Sequence, residues 1–139
     1  INAYKKLLLP IADLVTPNIY EANLLSGLEI SSKEDIENSA RKIIGLGAKA
    51  VLIKGGGLKD MKGKDFFLDL NGRKEWLFNN FINTKNTHGS GCTLSAAICG
   101  YKALGLDLFD SIQKAKLFVE KSLDNSYKIG SGPGPLGHH

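Results

Sequence analysis

The stretch SSKEDIENSARKIIGLGAKAVLIKGGG, Ser31–Gly57, changes its hydrophobic period halfway along. In its first part Ile36, Ala40, Ile43 and Ile44 recur at the 3.6-residue spacing of a helix with one apolar face. Ser31 and Glu34 stand at capping-box spacing at the start of that helix, and Gly45 or Gly47 ends it. In its second part AVLIK is a continuous apolar run with β-branched residues, a buried strand that runs into three glycines. Upstream, IADLVTPN (Ile11–Asn18) reads as another short buried strand that ends at Thr16-Pro17. Asn18 then caps a short helix closed by Gly27. Strand, amphipathic helix and apolar strand in that order predict a parallel βαβ unit and an α/β fold.

Working outward, residues 3–9 predict a helix stopped before Pro10. Downstream, KDFFLDL and RKEWLFN flank Asn71-Gly72, a strong hairpin signal. Loop residues lead to Thr84. A helix is expected from Gly91 to Leu104, ended by Gly105, and a last one from Leu108 to Tyr127. Ile112, Ala115, Val119 and Leu123 form the inner face of the last helix. The tail GSGPGPLGHH is irregular, and its two histidines suit either a native end or a tag stub. There is no internal repeat and no linker, so one domain is expected.

The chain has 139 residues, 42% apolar and 23% charged, ordinary values for a globular domain with a real core. No apolar run reaches the length needed to span a bilayer, and no secretory pattern opens the chain. The start INAYKKLLLP, without methionine, reads like the middle of something longer. The net charge of +4 could mean a polyanionic partner, but the lysines are scattered with no block of like charges, so a few spare lysines are the plainer reading; a small phosphorylated ligand also suits the balance. Cys92 and Cys99 lie seven apart on a predicted helix, about 10 Å along its axis. A disulfide needs Cα atoms closer than about 7 Å, so both are expected as free thiols, which fits a cytoplasmic protein.

The chemistry concentrates in TKNTHGSGCTLSAAICG, Thr84–Gly100. Glycines after Thr87 and His88 let the backbone turn with positive φ and let N–H groups converge, and the helix behind them adds a partial positive charge. Together these make an anion site suited to phosphate; the alternative is a plain tight turn. The motif is not a P-loop, since no Gly-Lys-Ser/Thr follows, and not a dinucleotide fingerprint, since position 94 is leucine. Cys92 stands in the first helical turn, where the dipole favours a thiolate, so it is a candidate base or nucleophile. The alternative, a small buried apolar residue, is also the expectation for Cys99. A zinc site from His88, Cys92 and Cys99 fits poorly, and a thiol-dependent acyl or redox site on Cys92 would need His88 as its base. Asn18 and Glu21, three apart at a helix start, could hold Mg²⁺ or simply cap and solvate. Lys54, at the carboxyl end of a strand, is where an open α/β sheet meets a phosphate, or a solvated strand end.

LVTPNIYEANLL, AVLIKGGG, TKNTHGSGCTLSAAI, the AK of QKAKLFV and GSGPGPLGHH occur in one order that closely resembles a known family. It is the C-terminal half of the hydroxymethylpyrimidine/phosphomethylpyrimidine kinases of thiamine synthesis, members of the ribokinase-like superfamily. The resemblance covers essentially the whole chain, and the THG-[ST]-GCT run is quite specific for this branch. It implies a three-layer αβα fold with a mostly parallel central sheet, of which residues 1–139 would be the C-terminal part of one domain, with the N-terminal half absent. It implies two successive ATP-dependent phosphorylations of 4-amino-5-hydroxymethyl-2-methylpyrimidine, with ATP and Mg²⁺ as cofactors. By the same resemblance Gly89, Ser90, Gly91 and the Cys92 amide would form the anion hole, and Cys92 would be the catalytic base. Asn18 and Glu21 would sit near Mg²⁺, Lys54 would meet the ATP phosphates, and Thr87 and Lys116 would lie near the nucleotide. A homodimer is possible by the same analogy. Ser90 replaces the usual threonine, and Gly57 stands where relatives often carry histidine. The alternatives are a pyridoxal or pyridoxine kinase, and a catalytically inactive nucleotide-binding fragment.

Overall fold

In the computed structural model, which describes residues 1–79, 82 and 84–138, the chain forms two units, Ile1–Phe78 and Asn79–His139. The first unit opens with a wide π-helical turn, Tyr4–Leu8, and a 3-10 turn, Leu9–Ile11. The helical segment therefore does not stop before Pro10. Proline sits in the first turn of the tighter coil, where its missing N–H leaves no bond unmade.

Helix α1 spans Ile19–Ser26 and helix α2 spans Lys33–Gly45. Strand β1 is Ala50–Lys54, β2 is Lys64–Asp69 and β3 is Lys74–Phe78. The predicted βαβ unit forms, but its first strand is reduced to two parallel bridges, Val15–Val51 and Asn18–Lys54. Val15 N donates to the Ala50 carbonyl at 3.0 Å, and the Val15 carbonyl accepts from Leu52 N at 2.8 Å. The next donor in a parallel ladder falls on Pro17, whose nitrogen carries no hydrogen, so regular pairing breaks there. The Pro17 carbonyl still accepts from Lys54 N at 2.9 Å. Among the described residues the three named strands pair antiparallel in the order β1-β2-β3, and the parallel part of the sheet is that interrupted edge.

The Asn71-Gly72 hairpin joins β2 to β3 as expected. Asp69 Oδ1 accepts from Asn71 N and Arg73 N, each at 2.9 Å. Strand β1 is buried on both faces, which explains its unbroken apolar run. Val51, Ile53 and Phe66 pack with Ile36, Ala40 and Ile43 of α2 in the core of this unit. Trp76 of β3 stacks obliquely on Phe66 at 4.9 Å, donates to Glu37 Oε1 at 3.2 Å and lies under the Lys33 ammonium at 4.7 Å.

The capping box of α2 lies one residue later than the spacing of Ser31 and Glu34 suggested. Ser32 is the cap and Asp35 the reciprocating acid. One oxygen of Asp35 accepts from the Ser32 hydroxyl at 2.7 Å, Ser32 N at 2.9 Å, and both Ser31 N and the Ser31 hydroxyl at 3.1 Å. These donors hold the Asp35 carboxyl below its ordinary value, the Ser32 hydroxyl contributing most. A carboxylate whose pKa is lowered by folding contributes stability above its unfolded value, and that stability is lost as pH falls through the folded value. Asp35→Asn is therefore expected to lower the melting temperature at neutral pH. The gap from the parent chain should shrink as pH is taken below about 4. Thermal unfolding followed between neutral pH and strong acid checks this, and a gap that stays constant with pH would contradict it.

In the second unit helix α3 spans Ser90–Ala103 and helix α4 spans Leu108–Asp124, and the two pack together. Leu94 and Ile98 of α3 are buried, as are Ile112 and Ala115 of α4; Val119 and Leu123 are half-buried. α4 ends at Asp124, three residues short of the expected Tyr127, because Tyr127 N turns away to donate to the Pro135 carbonyl at 3.1 Å. Among the described residues no helix is long and apolar enough to cross a membrane.

Candidate active site

The first unit gathers three of the candidate residues at one end of its parallel pairing. The Asn18–Lys54 bridge sets those two side by side, and Glu21 follows one turn into α1. Asn18 Oδ1 accepts from Glu21 N at 2.9 Å, while Glu21 Oε2 accepts from Asn18 N at 2.8 Å. This capping box realises the helix-start reading of the pair. Glu21 is exposed and has a second carboxylate oxygen, and a carboxylate with an amide oxygen suits a hard, hydrated cation. Lys54 is half-buried where β1 ends, beside the Gly55–Gly57 turn. At Gly57 an added Cβ would lie 3.2 Å from the Ile19 side chain. The histidine expected in relatives would require Ile19 to give way.

The second unit builds the glycine turn. Gly89 caps α3 with φ 86°, a left-handed conformation that a side chain strains, and no side chain caps the helix. Ser90, Gly91 and Cys92 are the first three helical residues, where backbone N–H groups have no carbonyl within the helix. Ser90 N donates to the Thr87 carbonyl at 3.2 Å, and Thr93 N closes on the Gly89 carbonyl at 2.8 Å. The Gly91 and Cys92 amides thus stand at the positive end of α3. Thr87 and Cys92 are exposed. Lys116, on α4, is 7% exposed, and its carbonyl accepts from Asn79 Nδ2 at 3.1 Å. Asn79 also donates to Glu120 Oε2 at 2.9 Å.

Both cysteines are free, as expected, but Cys99 is exposed rather than buried. Leu94 and Ile98 turn the apolar stripe of α3 inward, and Cys99 falls off that stripe. The weak zinc alternative has no support: among the described residues no three His, Cys, Asp or Glu side chains group around a possible ion.

Sequence reasoning missed the residues that pin this turn. His88 N donates to the Gly134 carbonyl at 3.3 Å, and Gly134 N donates to Asn86 Oδ1 at 3.0 Å. Thr93 Oγ1 lies 3.1 Å from His138 Nε2, and the His138 ring stacks on Phe118 at 6.1 Å. The glycine–proline composition of the tail was the available signal, since it marks close backbone approach. An added Cβ at Gly134 would meet the Tyr127 carbonyl and come within 2.7 Å of Asn86 Oδ1. His139, the second of the tail pair, lies outside the described residues.

The sequence profile described as Phosphomethylpyrimidine kinase matches residues 1–137. This chain belongs to that family. A hydroxymethylpyrimidine/phosphomethylpyrimidine kinase from Synechococcus elongatus is 48% identical over 132 residues, covering 94% of this chain and 50% of the relative. The chain spans about half the length of the curated relatives it matches. Among solved structures, the ADP complex of Bacillus subtilis pyridoxal kinase superposes with a TM-score of 0.93 at 37% identity, over 99% of this chain and 54% of that one. The Staphylococcus aureus pyridoxal kinase in complex with AMP-PCP and pyridoxal gives a TM-score of 0.93 at 37% identity, over 99% and 51%. This member of the phosphomethylpyrimidine kinase family is thus α/β and ribokinase-like in fold.

Proposed function

We propose that this chain supplies the phosphoryl-transfer half of a kinase that phosphorylates 4-amino-5-hydroxymethyl-2-methylpyrimidine and then its monophosphate in thiamine synthesis. Residues 1–139 would be the C-terminal part of that domain. The observation that carries the reading is the left-handed Gly89 leading into α3, which opens the Gly91 and Cys92 amides beside an exposed thiol. Phosphoryl transfer asks for positioning and charge stabilisation more than covalent help. Amides fixed at a helix N-terminus supply that stabilisation without reorganising during the reaction. Gly89, Ser90 and Gly91 shape the hole. The Ser90 amide joins it by giving up its 3.2 Å bond to the Thr87 carbonyl.

Cys92 takes the proton of the attacking hydroxyl. Lys54 meets the ATP phosphates, and Thr87 and Lys116 lie along the nucleotide. Mg²⁺, when bound, would neutralise phosphate charge, and Asn18 with Glu21 would hold it through its water shell. The ADP and AMP-PCP complexes of the neighbouring kinases support ATP as the phosphoryl donor.

The test is a kinase assay on the whole protein with Mg-ATP and each of three acceptors: the hydroxymethylpyrimidine, its monophosphate and pyridoxal. ADP release with both pyrimidines is expected, and mass spectrometry should find the diphosphate. No ADP above background with any acceptor would remove the kinase reading. Turnover of pyridoxal alone would favour the second reading, a pyridoxal kinase, which the TM-scores of 0.93 to two such enzymes support.

A further inference from the structure

The tail brackets the glycine turn on both sides. Before it, His88 N donates to the Gly134 carbonyl at 3.3 Å, and Gly134 N returns a bond to Asn86 Oδ1 at 3.0 Å. After it, His138 Nε2 meets Thr93 Oγ1 at 3.1 Å, one residue beyond Cys92. The segment between is anchored independently. Leu136 is 6% exposed, and Gly137 N donates to the Ser122 carbonyl of α4 at 2.9 Å. The His138 ring lies nearly parallel to Phe118 of α4, at an interplanar angle of 17°. A turn that must hold amides on a moving charge gains from being fixed at both flanks, because small misplacements of such groups cost large factors in rate.

We propose that Gly134–His138 is a strap that holds the phosphoryl-transfer turn in register, with His138 and Asn86 as positioning residues. The proposal rests on the kinase reading above. It assigns His138 no contact with substrate; the histidine acts through Thr93, whose amide closes on Gly89 at 2.8 Å.

Four variants of the whole protein test it: His138→Ala, Thr93→Val, the double variant of these two, and His138→Gln. The first two are expected to lower kcat at least tenfold with little change in the KM for ATP. The double variant should be no worse than either alone, because both remove one contact. His138→Gln, which can still reach the Thr93 hydroxyl, should recover most of the rate. The contact is solvent-exposed, so the melting temperature should barely move. Unchanged kcat in both single variants would overturn the strap. So would a loss of kcat that tracks a fall in melting temperature and is not recovered by glutamine.

Amide hydrogen exchange separates this proposal from the kinase reading. In His138→Ala the bonded amides of His88, Ser90 and Thr93 should exchange faster while those of α4 stay protected. That result would support the strap even if the parent protein phosphorylated none of the three acceptors. Unchanged exchange at all three amides would sink it.

Discussion

Cys92→Ala in the whole protein is expected to lower turnover at least tenfold, and by about 10²–10⁴-fold if the thiol gives full general-base help. Its affinity for ADP should stay unchanged. The two halves of this expectation come from different atoms. The Cys92 amide is a backbone group at the third position of α3, and alanine retains it. The sulfur is exposed and makes no disulfide, so its removal leaves no cavity in the core of the unit. Steady-state kinetics and calorimetric ADP titration read the two effects separately. Near-normal turnover would leave Cys92 without a role in proton transfer. Weakened ADP binding with unchanged kcat would shift its role to the nucleotide.

Phe66→Ala should destabilise the first unit by about 3–5 kcal/mol, the range for removing a fully buried ring. Phe66 is 1% exposed, sits opposite Ile53 on one side and Trp76 on the other, and meets the Trp76 ring at 4.9 Å. Its loss leaves a void under α2 and removes the support of the indole that reaches Glu37. A fall in the urea midpoint of the first unit checks this, and a change below about 1 kcal/mol would mean that the sheet closes over the gap.

The parts of this protein that were legible in its sequence are those with local causes. Asn18 as a cap, the Asn71-Gly72 hairpin and the apolar stripe of α2 each depend on residues a few positions apart. Pro17 was visible too, but its effect was not. Whether a missing N–H breaks a ladder depends on which way that nitrogen faces, and only the register with β1 decides that. Ser31 with Glu34 and Ser32 with Asp35 have the same spacing. The choice between them turned on one carboxylate collecting four donors.

The glycine turn was recognisable because its chemistry is contiguous from Thr87 to Cys92. The contact between Thr93 and His138 was not, since 45 residues separate them and no local pattern links a helix start to a tail. Cys99 was misjudged for a related reason. Periodicity finds an apolar stripe, but it does not say that a small residue one step aside remains in water.

The reciprocal bonds between Asn18 and Glu21 have an evolutionary consequence. The pair starts α1 whether or not an ion ever visits, so selection for folding alone would preserve both side chains. Among the described residues Cys92, a free and exposed thiol, has no comparable structural tie, so selection for folding alone would not hold it in place.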